Sequence, residues 1–217
     1  MTKNKRIPCK KYFFSVEGQT ELWYLQWLQK EINERAEKFT VKFDCKTEKD
    51  PIARVRGMTV LSETTIVHIF DVESGIASDI QRFEDVLNKM RRAEKLGKSV
   101  KYQLGYSNLS FELWMILHKA DFDIQLSNCL GYLKYINSYY GEHFESLNEY
   151  KEEQNFKRLL SHLSIDNVKA ALERADQIQK RNIERGYKEI NYRNYKYFRE
   201  NPSLLLGEII SGIFSEI

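Results

Sequence analysis

Glu17, Asp71 and Glu73 are acids whose setting asks for chemistry. The strand-like run YFFSV leads into Glu17, TIVHIF leads into Asp71, and Glu73 stands just beyond. Carboxylates crowded together raise one another's pKa. A hard divalent cation, Mg²⁺ or Mn²⁺, relieves this by taking oxygen ligands from one or two of them while keeping several waters. Such an ion polarises a phosphodiester, stabilises the charge that develops and supplies hydroxide. Gly18, beside Glu17, allows a backbone turn and the close approach of a substrate. Each acid also has a structural alternative, Glu17 as a favourable charge at a helix start and Asp71 as a turn residue.

The elements that must position these acids are legible in the apolar spacing. Strands are expected over residues 12–16, 41–47, 65–70 and 100–106, with a short helix or loop at 50–58. A helix over 21–38, with Thr20 as its N-cap, follows from Leu22, Leu25, Leu28 and Ile32 on one face. Another over 76–96 follows from Ile80, Phe83, Leu87 and Met90, with Gly97 as its stop. A helix over 111–118 comes next. Strand and helix alternation predicts an α/β fold, a parallel sheet flanked by helices, and ligands in such sheets bind outside the carboxyl ends of the strands. Glu17, Asp71 and Glu73 all fall at that edge.

SVEGQTE (15–21) and HIFDVESG (68–75) resemble the Toprim signature, a glutamate after the first strand and an acid pair after the third. More closely, VEGQTELWYL (16–25), SNLSFELWMILH (107–118) and ENPSLLLGEI (200–209) resemble the RloB-like family, which is associated with restriction and abortive-infection loci. The resemblance touches the start, middle and end of the chain. It implies a Toprim-like, Rossmann-like α/β core over 1–120 and a helical extension over 121–217 packed on it as one globular unit. It also implies a role in antiviral defence: Mg²⁺- or Mn²⁺-dependent cleavage of nucleic acid, RNA (tRNA included) over DNA, with Glu17 as general acid/base or metal ligand and Asp71 and Glu73 holding the metal. The alternative is a catalytically weak nucleic-acid or nucleotide binding module acting through a partner defence protein. Glu73 stands where the usual second acid is Asp, and Leu109 where the family motif has Pro.

Further candidates lie outside the acid set. Asn108 is a substrate contact or a cap for the next helix, and Glu112, a polar residue among core neighbours, points to the same edge. His68, inside an apolar strand, reads as a satisfied core histidine, and His118 as a helix-end residue favoured by the dipole. The segment 180–200 interleaves cations, Arg193, Lys196 and Arg199 among them, with tyrosines, as a single-stranded RNA or DNA groove would. Aromatic packing on the core under a solvated loop explains the same composition. Arg91, Arg92, Lys95 and Lys98 read as a solvated face.

Composition bounds the rest. The 217 residues carry 34 basic and 31 acidic side chains, net +3, so global charge does not by itself announce a nucleic-acid binder. No apolar run approaches a membrane span and the N-terminus lacks a signal-peptide core, so a cytoplasmic protein without membrane contact is expected. Cys9, Cys45 and Cys129 are too scattered for a disulfide framework or a zinc site and read as packing residues. There is no glycine-rich phosphate loop, dinucleotide fingerprint or hydrolase nucleophile elbow. After His118 the pattern reads as helices only, at 126–139, 155–163, 166–185 and 203–214.

Overall fold

A computed structural model describes residues 8–36 and 38–216. The first half follows the expected alternation: β1 (Cys9–Val16), α1 (Gln19–Glu34), β2 (Thr40–Thr47), α2 (Pro51–Arg56), β3 (Thr64–Asp71), α3 (Ala77–Ala93), β4 (Val100–Asn108) and α4 (Glu112–Leu117). β1 to β4 pair in parallel in the order β2-β1-β3-β4. The chain therefore leaves β1 toward one edge and β3 toward the other, and the topological switch point falls between β1 and β3.

Local chemistry explains the boundaries. Asp50 caps α2, accepting from the N–H groups of Ile52 at 2.8 Å and Ala53 at 3.2 Å, with Pro51 opening the helix. The cap of α1 is Gly18, not Thr20, and makes no side-chain bond. Thr20 instead lies inside the helix and donates to Glu21. β2 is an edge strand, and side chains of α1 cover its backbone. Asn33 bonds both polar groups of Val41 (2.9 and 2.8 Å), and Gln29 accepts from Phe43 N–H at 2.6 Å.

The C-terminal half is mostly helical: a 3₁₀ turn (Cys129–Tyr132), α5 (Leu133–Tyr140), α6 (Leu147–Tyr150), α7 (Glu153–Ser161) and α8 (Ile165–Glu184). The expectation of helices alone past His118 fails in three short places. β5 (Ile190–Tyr192) and β6 (Tyr195–Tyr197) form a hairpin, and β7 (Ser203–Leu204) adds antiparallel to the end of β4 before α9 (Leu206–Glu216). Strands this short carry too little alternation to be seen as a period. Arg193 and Asn194 both have positive φ, the geometry of a two-residue hairpin turn.

The sheet divides two cores. Phe14, Val16, Val67 and Ile69 face α1, α4, α8 and α9. Ile66, Phe70, Leu104 and Tyr106 face α2, α3 and the hairpin. Each buried side chain of this size contributes about 1.5–3 kcal/mol. Gly105 lets β4 pack closely under α9, where a Cβ would come within 3.1 Å of Ile209 and 3.2 Å of Ile69. Cys45 and Cys129 are partly buried, but Cys9 is exposed at the start of the edge-paired β1 and packs nothing. No helix among the described residues is long and apolar enough to cross a membrane.

Candidate active site

Glu17 and Asp71 leave the carboxyl ends of β1 and β3, the two strands that bracket the switch point. They touch: the Asp71 N–H donates to Glu17 Oε2 at 3.3 Å. Past Asp71 the chain keeps the β4 ladder for another step, with Val72 N–H on Ser107 O (3.1 Å) and Glu73 N–H on Leu109 O (2.8 Å). Glu73 does so in the left-handed region, at φ 68°, a strained conformation for a residue with a Cβ and one that clusters at functional sites.

The three acids line one crevice, together with Asp79 and Arg82 of α3. Its volume is about 20 Å³, room for a single ion or water and nothing larger. Glu73, however, points to Arg82, whose Nη1 is 2.8 Å from its Oε2, while Nη2 holds Asp79 Oδ1 at 2.5 Å. Among the described residues no group of three or more Asp, Glu, His or Cys side chains is placed to hold one metal ion. Glu17 and Asp71 fit Mg²⁺ as a pair of carboxylates, and Asp71 Oδ1 is sealed from solvent without a partner. Glu73 would have to leave Arg82 to join them.

A second layer of charge lies behind the crevice. Glu112, at the start of α4, is 0% exposed, accepts from Ser110 Oγ at 2.5 Å and meets Lys151 Nζ at 2.9 Å. Glu21 is buried at the start of α1, accepting from Thr20 Oγ1 at 2.9 Å. Gly18 gives it room, since a Cβ there would stand 2.9 Å from Glu21 Oε2. The close approach that Gly18 permits is therefore that of a carboxylate in the same loop.

Burial raises the pKa of Asp71 well above the usual range, and the Glu21, Glu112 and Glu17 carboxylates add to it while Lys151 opposes. Burial also raises Glu17, against the Asp71 N–H and Lys49, with Glu73 adding. Glu21 is raised by burial, against hydrogen bonds from its own N–H and Thr20. Lys151 is pulled down by its own burial and held up by more than that through Glu112, Asp71 and Glu21. The arrangement stores negative charge that a proton or a cation would relieve.

The family model of the RloB-like protein matches residues 12–209. The chain belongs to the RloB-like family. Comparisons with curated proteins and with solved structures return no match. Family membership carries an association with restriction and defence loci, and the match spans both the acid-bearing loops and the helical half that supplies Lys151.

The other expected site residues land differently. Glu112 joins the acid cluster. Asn108 does not cap α4, whose N-cap is Phe111 without a side-chain bond. Its amide Nδ2 instead faces the carbonyls of Phe198 (3.3 Å), Arg199 (2.9 Å) and Glu200 (3.2 Å), tying β4 to the segment that returns to it. Lys196 pairs with Glu189 at 2.7 Å and Arg199 with Glu84 at 3.3 Å. Tyr195, Tyr197 and Phe198 are buried, so their rings complete a core and offer no face to a base. His118 is buried and uncharged, bonded to Tyr24 Oη and Trp114 O, because burial lowers its pKa to about 3. A charge–dipole role at the helix end does not apply. His68 is a core residue as expected but not a satisfied one: neither ring nitrogen has a partner among the described residues.

Glu21, Asp79, Arg82 and Lys151 escaped the sequence reading. Glu21 carried the best signal, a second acid four residues after Glu17, in the first turn of the helix that follows the same loop. Lys151 carried none, since nothing local links it to β3.

Proposed function

We propose that this RloB-like chain is a metal-dependent phosphodiesterase of a prokaryotic antiviral defence system, acting on RNA in preference to DNA, tRNA included. The observation that carries the reading is the Glu17–Asp71 contact at the switch point, on the wall of a crevice sized for one ion. Glu17 and Asp71 would hold Mg²⁺ or Mn²⁺, joined by Glu73 once it parts from Arg82. The ion, when bound, supplies polarisation of the phosphodiester and an acidified water.

The chain's own residues have separate tasks. Glu17, raised in pKa yet reachable from the crevice, takes or gives the proton of the attacking or leaving oxygen. Arg82, at the rim, is placed to meet a phosphate oxygen when it releases Glu73. Asp71, buried and pressed by Glu21 and Glu112, keeps a proton until a cation takes its place. Lys151 keeps the layer behind it from collapsing into repulsion.

The Glu73–Arg82 pair also supports a second reading, a catalytically quiet module that binds nucleic acid and works through a partner defence protein. Incubating the purified chain with total RNA and plasmid DNA, in Mg²⁺, Mn²⁺ or chelator, separates the two. Cleavage that needs metal and disappears in Glu17→Gln supports the enzyme. Cleavage that survives chelator excludes the metal site, and no cleavage of either polymer favours the quiet module.

A further inference from the structure

α3 carries more than the rim of the crevice. Arg82, Val86, Lys89 and Arg92 recur at three- and four-residue spacing, and Lys95 continues the row in the turn that follows. They form one wall of a groove of about 1250 Å³ whose other wall is the β5–β6 turn, with Arg193 and Asn194. Arg82 and Val86 line both this groove and the acidic crevice, so the two adjoin.

The turn is fixed against the helix. Arg91 Nε donates to Arg193 O at 2.6 Å, Arg193 Nε to Asn88 Oδ1 at 2.9 Å, and Asn88 Nδ2 to Tyr192 Oη at 2.8 Å. Of the two acids in the lining, Glu94 is held by Arg91 (2.6 Å) and the Tyr102 N–H (2.7 Å), while the exposed Asp85 accepts from the neutral Gln81 amide (3.0 Å) and keeps its charge. Arg92 and Lys95 are exposed and have no acidic partner among the described residues. Among the described residues no aromatic side chain is in the groove lining; the half-buried Tyr192 beside it holds Asn88 through its hydroxyl and has the Arg193 guanidinium over its ring at 5.9 Å, so the lining offers cations more than stacking faces.

Arg82 and Lys89 stand in exposed pairs, with Glu73 and Asp79 and with Asp50 (3.4 Å), and Arg92 and Lys95 are free among the described residues. Four such cations with no stacking ring in their lining read phosphates and not bases. From residue 82 to 95 the row runs about 20 Å, the axial length of about six base-pair steps. We propose that this groove binds the phosphodiester backbone of a base-paired nucleic acid and leads it to the acidic crevice at Arg82. The proposal rests on the nucleic-acid reading given above and names the form of the substrate and the surface that holds it. It relocates the basic contacts from Lys196 and Arg199 to α3.

The test measures fluorescence anisotropy without divalent metal, in a Glu17→Gln background that prevents cutting, with a labelled RNA duplex, a DNA duplex and an unpaired RNA of equal length. Arg92→Glu/Lys95→Glu is expected to weaken duplex binding by about tenfold or more. The slope of log affinity on log salt should fall by about 2, and Lys169→Glu, at a distant exposed pair, should change neither. Arg92→Gln/Lys95→Gln, with circular dichroism of each variant, guards against a folding effect. Unchanged duplex affinity in both double variants overturns the proposal. So does tighter binding of the unpaired strand, or binding to no probe at all. Metal-dependent RNA cleavage alongside unchanged duplex binding would remove this groove and leave the proposed activity. Duplex binding lost with Arg92 and Lys95 in a chain that cuts nothing would do the reverse.

Discussion

Lys151 Nζ stands 2.9 Å from Oε1 of Glu112, an ion pair whose acid is sealed in the protein and whose base is 43% exposed. It joins a loop of the helical half to the layer behind β3, so the acid cluster depends on the C-terminal half. Lys151→Met leaves the Glu112 charge buried and unpaired. A loss of about 1–3 kcal/mol is expected, below the cost of breaking a fully buried pair because the lysine is partly solvated. Urea denaturation reads it, and Lys151→Met/Glu112→Gln should recover most of the loss. A double variant as unstable as the single would mean that packing around Lys151, and not its charge, is what matters.

Arg82 competes with a metal for Glu73. Arg82→Gln frees the carboxylate and should reduce the Mg²⁺ concentration for half-maximal cleavage by up to about fivefold, the equivalent of an exposed ion pair of about 1 kcal/mol. A metal titration of single-turnover cleavage measures it. An unchanged requirement would place Glu73 outside the metal shell.

The sheet and the position of Glu17 and Asp71 were legible because they depend on local pattern: apolar runs of strand length, helix periods between them, and an acid at the end of each run. The rest was not, for separable reasons. The partnership of Glu73 with Arg82 turns on a side-chain rotamer in a strained loop, which no spacing encodes. Tyr195 and Tyr197 looked like stacking platforms because composition cannot tell a ring facing solvent from one facing α3. Arg92 and Lys95 looked like an idle solvated face because the opposing wall, the β5–β6 turn, lies far away in sequence. β7 has two residues and leaves no period to read.

The buried histidines make the fold acid-sensitive. His68 and His118 are neutral in the folded chain, with pKa lowered to about 3 by burial, and gain a proton in the unfolded chain near 6.5. The unfolded state thus binds more protons between these values. Stability is fully present above pH 6.5 and falls by about 1.4 kcal/mol per pH unit per histidine as pH drops toward 3. His68 has no hydrogen bond to lose, so His68→Phe should remove its share, about 2 kcal/mol at pH 5. Urea denaturation at pH 7 and pH 5 checks this; an equal acid loss in wild type and variant would assign the sensitivity elsewhere.

Asp71 runs the opposite way. Its folded pKa lies well above the unfolded value, so the folded chain favours the protonated acid, and stability is lost as pH rises through the carboxylate range to neutrality. Asp71→Asn carries no charge at any pH. It is expected to be more stable than wild type by about 1–2 kcal/mol at pH 7, with the gain vanishing at pH 3, and to lose metal-dependent cleavage. Paired denaturation curves at the two pH values read the first effect and the RNA assay the second. Were Asp71→Asn less stable at pH 7, the carboxylate would be supporting the fold, and the charge stored around the crevice could not be kept for a cation.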